Sequence, residues 1–214
     1  HNIPNACNRC HEDKSAEWAL AHCETWYGER MQRGTRERAR VLARAQSGDM
    51  SAVPALIALA GREPNAVWKA SLLSLLDTMG VNDATPLFLA SLNDASPLVL
   101  SIAIRALAPR LQDRTPLAAL RQHPTRLVRL EAASATLGSF ERSSDAYREL
   151  KAYMGIDVDQ PSGAFKQAQL ALAERRTGDV DPWLEKMLAW DPSAGSYQLI
   201  GRILHALGRL EEAV

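Results

Sequence analysis

Cysteine is scarce in this chain: three occur in 214 residues, too few for a disulfide framework. Net charge is absent as well. Twenty-five Lys and Arg balance twenty-five Asp and Glu, so nothing drives the whole chain towards nucleic acid or an anionic membrane. No apolar run approaches the roughly 20 residues of a membrane-spanning helix. No stretch has the alternation of a strand, and the composition is not of the disordered type. The paired-carboxylate, Ser-His-Asp, phosphate-loop and His-Glu-x-x-His arrangements are all missing, so the sequence leans away from a catalytic domain. The chain lacks an initiator methionine and a signal-peptide pattern, and it stops at Leu210-Glu211-Glu212-Ala213-Val214 in helical sequence. The expectation is a fragment or processed piece of a longer protein. What is present is an ordinary apolar fraction of 46%, on a length sufficient for one or two domains with a real core.

The most informative stretch is Ala6-Cys7-Asn8-Arg9-Cys10-His11. Cys-x-x-Cys-His is the attachment signature of a c-type haem. Two thiols three positions apart can each form a thioether to one edge of a porphyrin, and the next residue, His11, can place an imidazole on the iron. Cys7 and Cys10 are therefore expected as anchors and His11 as the proximal ligand. The alternative cofactor is zinc, with Cys7 and Cys10 joined by His22 and Cys23, or by His11. Zinc does not require a histidine directly after the second cysteine, whereas haem attachment does. A thioredoxin-like motif would need βαβ context, which is not visible.

A helix follows at once, with Ser15 as N-cap, Glu17 in its first turn, and an end near Tyr27 at Gly28. Trp18, Cys23 and Trp26 are candidates to pack near the porphyrin, or are ordinary core. If the helix continued back through His11, His22 would lie about 16 Å along its axis, too far for one iron to take both. The distal position has His1, His22, His123, His205, Met31 and Met50 as candidates. His1 or His22 leads, for this haem or a neighbouring one. Arg30, Arg33, Arg36, Arg38, Arg40 and Arg44 form a cluster, with Glu29 and Glu37 among them, read either as a solvated face or as partners for haem propionates. It lacks the interleaved aromatics of a single-stranded nucleic-acid surface.

From there helical patterns recur between breaks at Gly48-Asp49, Gly61, Gly80 to Asp83, Asn93-Asp94, Pro109, Pro124 and Gly138. Val67, Val99 and Val128 fall in one column and Ser71, Ala103 and Ala132 in another, with a spacing of about thirty residues against the usual forty or so. This resembles HEAT repeats, best at Val128-Arg129-Leu130-Glu131-Ala132-Ala133. After Gly138 the pattern changes. Ser143 or Ser144 caps a helix to about Met154, and Gly155 to Gly163 reads as a linker. Helices over Ala164–Arg176, Trp183–Trp190 and Ser196–Leu207 follow, and a further one opens at Leu210. This part resembles tetratricopeptide repeats.

The expected fold is all-α: a haem segment and first helix over 1–34, then an α-solenoid of HEAT-like hairpins over 35–140 and tetratricopeptide-like hairpins over 141–214. The run from Asn5 to Ala19, followed by Trp26-Tyr27-Gly28 and the two repeat types, resembles the C-terminal part of bacterial multihaem c-type cytochromes that carry tetratricopeptide repeats. That resemblance implies a missing N-terminal part with further haem motifs, a signal peptide and distal ligands, and hence a periplasmic or otherwise exported protein. The function it implies is electron transfer, with a redox partner protein or adjacent haem domains of the same parent chain. The repeats would supply protein–protein contacts, with no nucleic acid and no membrane span. The alternative function is a non-redox interaction solenoid with a structural zinc.

Overall fold

The computed structural model describes residues 5–31 and 33–213, apart from the Met31 side chain; His1 lies outside this set. Among the described residues every regular element is helical. The elements comprise twelve α-helices, some of them joined by short 3-10 turns, and no strand occurs among the described residues. No described helix is long and apolar enough to cross a membrane. The backbone divides into two units, one ending at Pro64 and the other starting at Asn65.

The first unit holds α1 (Ala16–Tyr27), α2 (Gly34–Gln46) and α3 (Val53–Arg62). Ser15 caps α1 by accepting a hydrogen bond from the Trp18 amide at 3.2 Å. The helix ends at Gly28, whose φ of +46° is a conformation that side chains with a Cβ rarely adopt. Helix α2 packs on α3. Arg38 donates to Glu63 at 2.9 Å, and Arg62 pairs with Glu37, so two ion pairs tie α2 to the end of α3. Gly61 is not a break as expected. It lies inside α3, and the chain leaves the helix at Glu63-Pro64, because the residue before a proline is pushed out of helical geometry.

The second unit begins with α4 (Ala66–Thr78), α5 (Thr85–Ser91), α6 (Pro97–Leu107), α7 (Thr115–Ala119) and α8 (Arg126–Ala135). Helix α4 packs on α6 and α6 on α8, while α5 lies against α6 and α7 against α8. Val99, Ala103, Val128 and Ala132 are fully buried, as their columns predict. The first copy is out of register. Val67 is 63% exposed and Ser71 is also exposed, and α4 buries Ala70, Leu72, Leu73 and Leu76 instead. Asn65 sets that start: its side chain accepts from the Val67 and Trp68 amides and turns Val67 outward in the first turn.

Next come α9 (Asp145–Met154), α10 (Pro161–Ala173), α11 (Val180–Trp190) and α12 (Ala194–Ala206). Ser144 caps α9 through the Tyr147 amide. Tyr147, Leu150 and Met154 close one core with Ala133 and Leu170. A second core joins Ala164, Ala168 and Ala171 to Val180, Leu184 and Met187 and to Ile200, Ile203 and Leu204. The segment read as a linker from Gly155 to Gly163 is shorter than expected, since α10 starts at Pro161. Gly163 is a buried helical residue, and a Cβ there would meet the Asp157 carbonyl oxygen at 1.7 Å. The bare backbone admits the neighbouring segment, and that is what the glycine is for. Helix α11 begins earlier than Trp183, at Val180. Leu210–Glu212 forms a 3-10 turn in place of the expected new helix.

Candidate cofactor site

The Cys-x-x-Cys-His run is folded by its own asparagines. Asn8 donates its amide N–H to Asn5 Oδ1 at 3.1 Å, and its side chain donates to the carbonyls of His11 (3.2 Å) and Lys14 (2.6 Å). Inside that clamp Cys7–Arg9 forms a 3-10 turn. The amides of Cys10 and His11 both donate to the Cys7 carbonyl, at 3.2 and 3.0 Å. A 3-10 pitch superposes side chains three positions apart, so this turn brings Cys7 and Cys10 to one side. All three thiols are free; Cys10 is exposed, and Cys7 and Cys23 are half-buried.

His11 stands in the turn before α1, not on the helix, and this overturns the 16 Å separation from His22. The His11 ring packs on Trp18 with centroids 5.0 Å apart, and the His22 ring packs on the same indole at 4.3 Å. The two imidazoles are therefore at most about 10 Å apart. Trp26 continues the row, 5.8 Å from His22 and edge-on to it. Trp18, His22 and Trp26 follow at four-residue spacing, which keeps them on one helix face. His22 Nδ1 lies 3.0 Å from the Trp18 carbonyl oxygen. A carbonyl can only accept, so Nδ1 is the donor, and in the neutral imidazole this leaves the lone pair on Nε2, the arrangement a metal ligand needs.

Helix α1 is poorly covered. It buries only Ala19, while Trp26 is 64% exposed and Leu20 and Tyr27 are exposed too. Beyond it, Tyr27, Arg30, Arg33, Thr35 and Arg36 surround an open cavity of about 580 Å³. The arginine cluster, cavity-lining Arg36 included, is partly consumed by ion pairs: Arg36 with Glu24, Arg38 with Glu63, and Arg44 with Asp49. Among the described residues, no three His, Cys, Asp or Glu side chains converge on one point as a metal site.

No family model, curated protein or solved structure matches the chain.

The other distal candidates scatter. Met50 is 58% exposed. His123 lies in the second unit, where its Nδ1 accepts from the Thr125 amide at 3.1 Å and helps start α8. His205 is exposed on α12. His1 and the Met31 side chain lie outside the described residues. The sequence reading missed the Asn5 and Asn8 clamp, although both asparagines stand beside the motif and Asn is a turn-former. It also missed Glu174, whose buried carboxylate accepts from Tyr147, from Lys151 at 3.2 Å and from Arg176 at 2.7 Å. Two of those donors are more than twenty residues away, so no local pattern announces them.

Proposed function

We propose that this chain carries a covalent c-type haem on Cys7 and Cys10 with His11 as proximal ligand. In this reading it passes electrons to a partner protein or an adjacent haem, as part of a larger exported multihaem cytochrome. The observation that carries the reading is the run Cys7-Asn8-Arg9-Cys10-His11 itself, with its free thiols on one tight turn. Cys7 and Cys10 would each add S–H across a vinyl group, giving thioethers with no net redox change. When bound, the haem supplies a one-electron iron couple, tuned by its axial ligands and burial. His11 would hold the iron from one side. The fixed Nδ1 proton of His22 leaves it competent as a distal ligand to this haem or a neighbour. Trp26, on the same helix face as His22 and 64% exposed, offers apolar surface for a macrocycle to cover. The successive packing of α4, α6 and α8 supports a HEAT-like docking frame, and the α10–α12 core supports a tetratricopeptide-like continuation.

The test is maturation of the whole chain in a periplasm equipped for cytochrome c assembly. One haem per chain is expected, with a Soret band, a pyridine haemochrome spectrum and a mass increase that survives denaturation. His11→Ala should lose the low-spin spectrum while keeping the pigment attached, and Cys7→Ser with Cys10→Ser should lose the attached mass. A colourless product with stoichiometric zinc would replace this reading with the interaction module.

A further inference from the structure

The second unit contains a hollow that the function proposed above does not use. Helix α9 packs on α8 and on α10, and α12 packs on α10. Residues of these four helices border a cavity of about 360 Å³. Its apolar wall is Leu130, Leu150 and Met154 from one core and Phe165 and Leu199 from the other. Leu127 and Tyr153 line it too and are exposed, so they mark where it opens. Cavities of about 300–1000 Å³ with mainly apolar walls and a few polar groups are the kind that hold small molecules.

The charged groups on this wall are already paired. Arg105 is held by Glu131. Lys166 donates to both oxygens of Asp157 at 2.8 and 3.0 Å, and its ammonium lies 4.8 Å from the centre of the Tyr153 ring. A charged ligand would lose its hydration against hydrocarbon and meet no free counter-charge on this wall. The polar groups left over are neutral. The Gln169 amide and the Ser134 hydroxyl line the cavity and make no hydrogen bond among the described residues. Gln169 is half-buried, and its primary amide can both donate and accept. We propose that this cavity binds an uncharged, largely apolar small molecule, with a carbonyl, hydroxyl or N–H group of the ligand meeting Gln169. The site lies within residues 65–214, apart from the Cys-x-x-Cys-His run, so it stands independently of the haem reading.

The test uses the full chain with Cys7→Ser and Cys10→Ser, so that no pigment quenches a fluorescent probe. Titration with the neutral dye N-phenylnaphthylamine should give a saturable, blue-shifted rise in fluorescence with one dye per chain. The anionic dye anilinonaphthalene sulfonate should bind at least about tenfold more weakly, because no unpaired cation lines the cavity. Ser134→Phe and, separately, Gln169→Phe each place a ring in the hollow and should weaken the neutral dye about tenfold or more. Neither side chain has a hydrogen bond to lose, so far-UV circular dichroism and Tm should stay the same. Should one variant fail to fold, the other and the pair of dyes still decide. Fluorescence that does not saturate, binding that both substitutions leave unchanged, or an anionic dye that binds as well as the neutral one overturns the proposal. So does a dimer that admits the dye only on dilution, since a second copy would then fill the hollow. None of these failures touches the function proposed above, which is read from the attached pigment.

Discussion

Position 163 has no room for even a methyl group, since its Cβ would fall 1.7 Å from the Asp157 carbonyl oxygen. Gly163→Ala must move the backbone of one segment or the other. The expected cost is about 2–3 kcal/mol, which for a chain of this size lowers Tm by at least about 5 °C, read by differential scanning calorimetry. The sequence hid this role. Glycine, proline and aspartate crowd residues 155–163, and a pattern of residue types reports a loop there. It cannot report the backbone of a neighbour arriving at the Cα. Cys7, Cys10 and His11 were legible for the opposite reason, because their chemistry is contained in five consecutive residues. His22 fell in between. Its residue type was noticed, but its distance from His11 depended on a turn that helical arithmetic ignored.

At the scale of the helix, local signals translated well and register translated partly. Ser15 and Ser144 cap the helices they were expected to cap, since a hydroxyl and an amide three residues on are enough. In α8 the apolar stripe is right, with Val128 and Ala132 fully buried. Val128→Asp, or Ala132→Asp, therefore puts an unpaired carboxylate into packed hydrocarbon. A loss of about 4 kcal/mol or more is expected, seen as a collapse of the urea midpoint. The same substitution at Val67 should leave the midpoint nearly unchanged, because that side chain is 63% exposed. The contrast checks the register directly. Helix α4 was misaligned because the alignment followed residue identity, while the side chain of Asn65 sets where the helix begins.

At the scale of the whole molecule, ion pairs tie helices to other helices and to the turns beside them. The Arg129 guanidinium grips both oxygens of Glu149 at 2.8 Å and holds that carboxyl below its ordinary value of 4.5. Lys166, at 2.8 and 3.0 Å, holds Asp157 below 3.8. At Asp94 burial pushes upward, but Lys69 and the Ser96 amide outweigh it and the carboxyl stays below 3.8. Each of these groups binds its proton more weakly when folded. Their stabilisation is present above the unfolded values and is lost as pH falls through the lower folded ones. Urea midpoints should be flat from neutrality to about pH 5 and then fall through the window from 4.5 downward, and Glu149→Gln should flatten part of that fall.

The boundary at Pro64–Asn65 has a practical consequence. Both of the cores formed by α8 to α12 lie wholly on its C-terminal side, and the Cys-x-x-Cys-His run lies wholly on the other. A gene cut there should yield a 65–214 product that melts in a single sharp transition yet absorbs nothing in the visible. Any colour should stay with the short remainder.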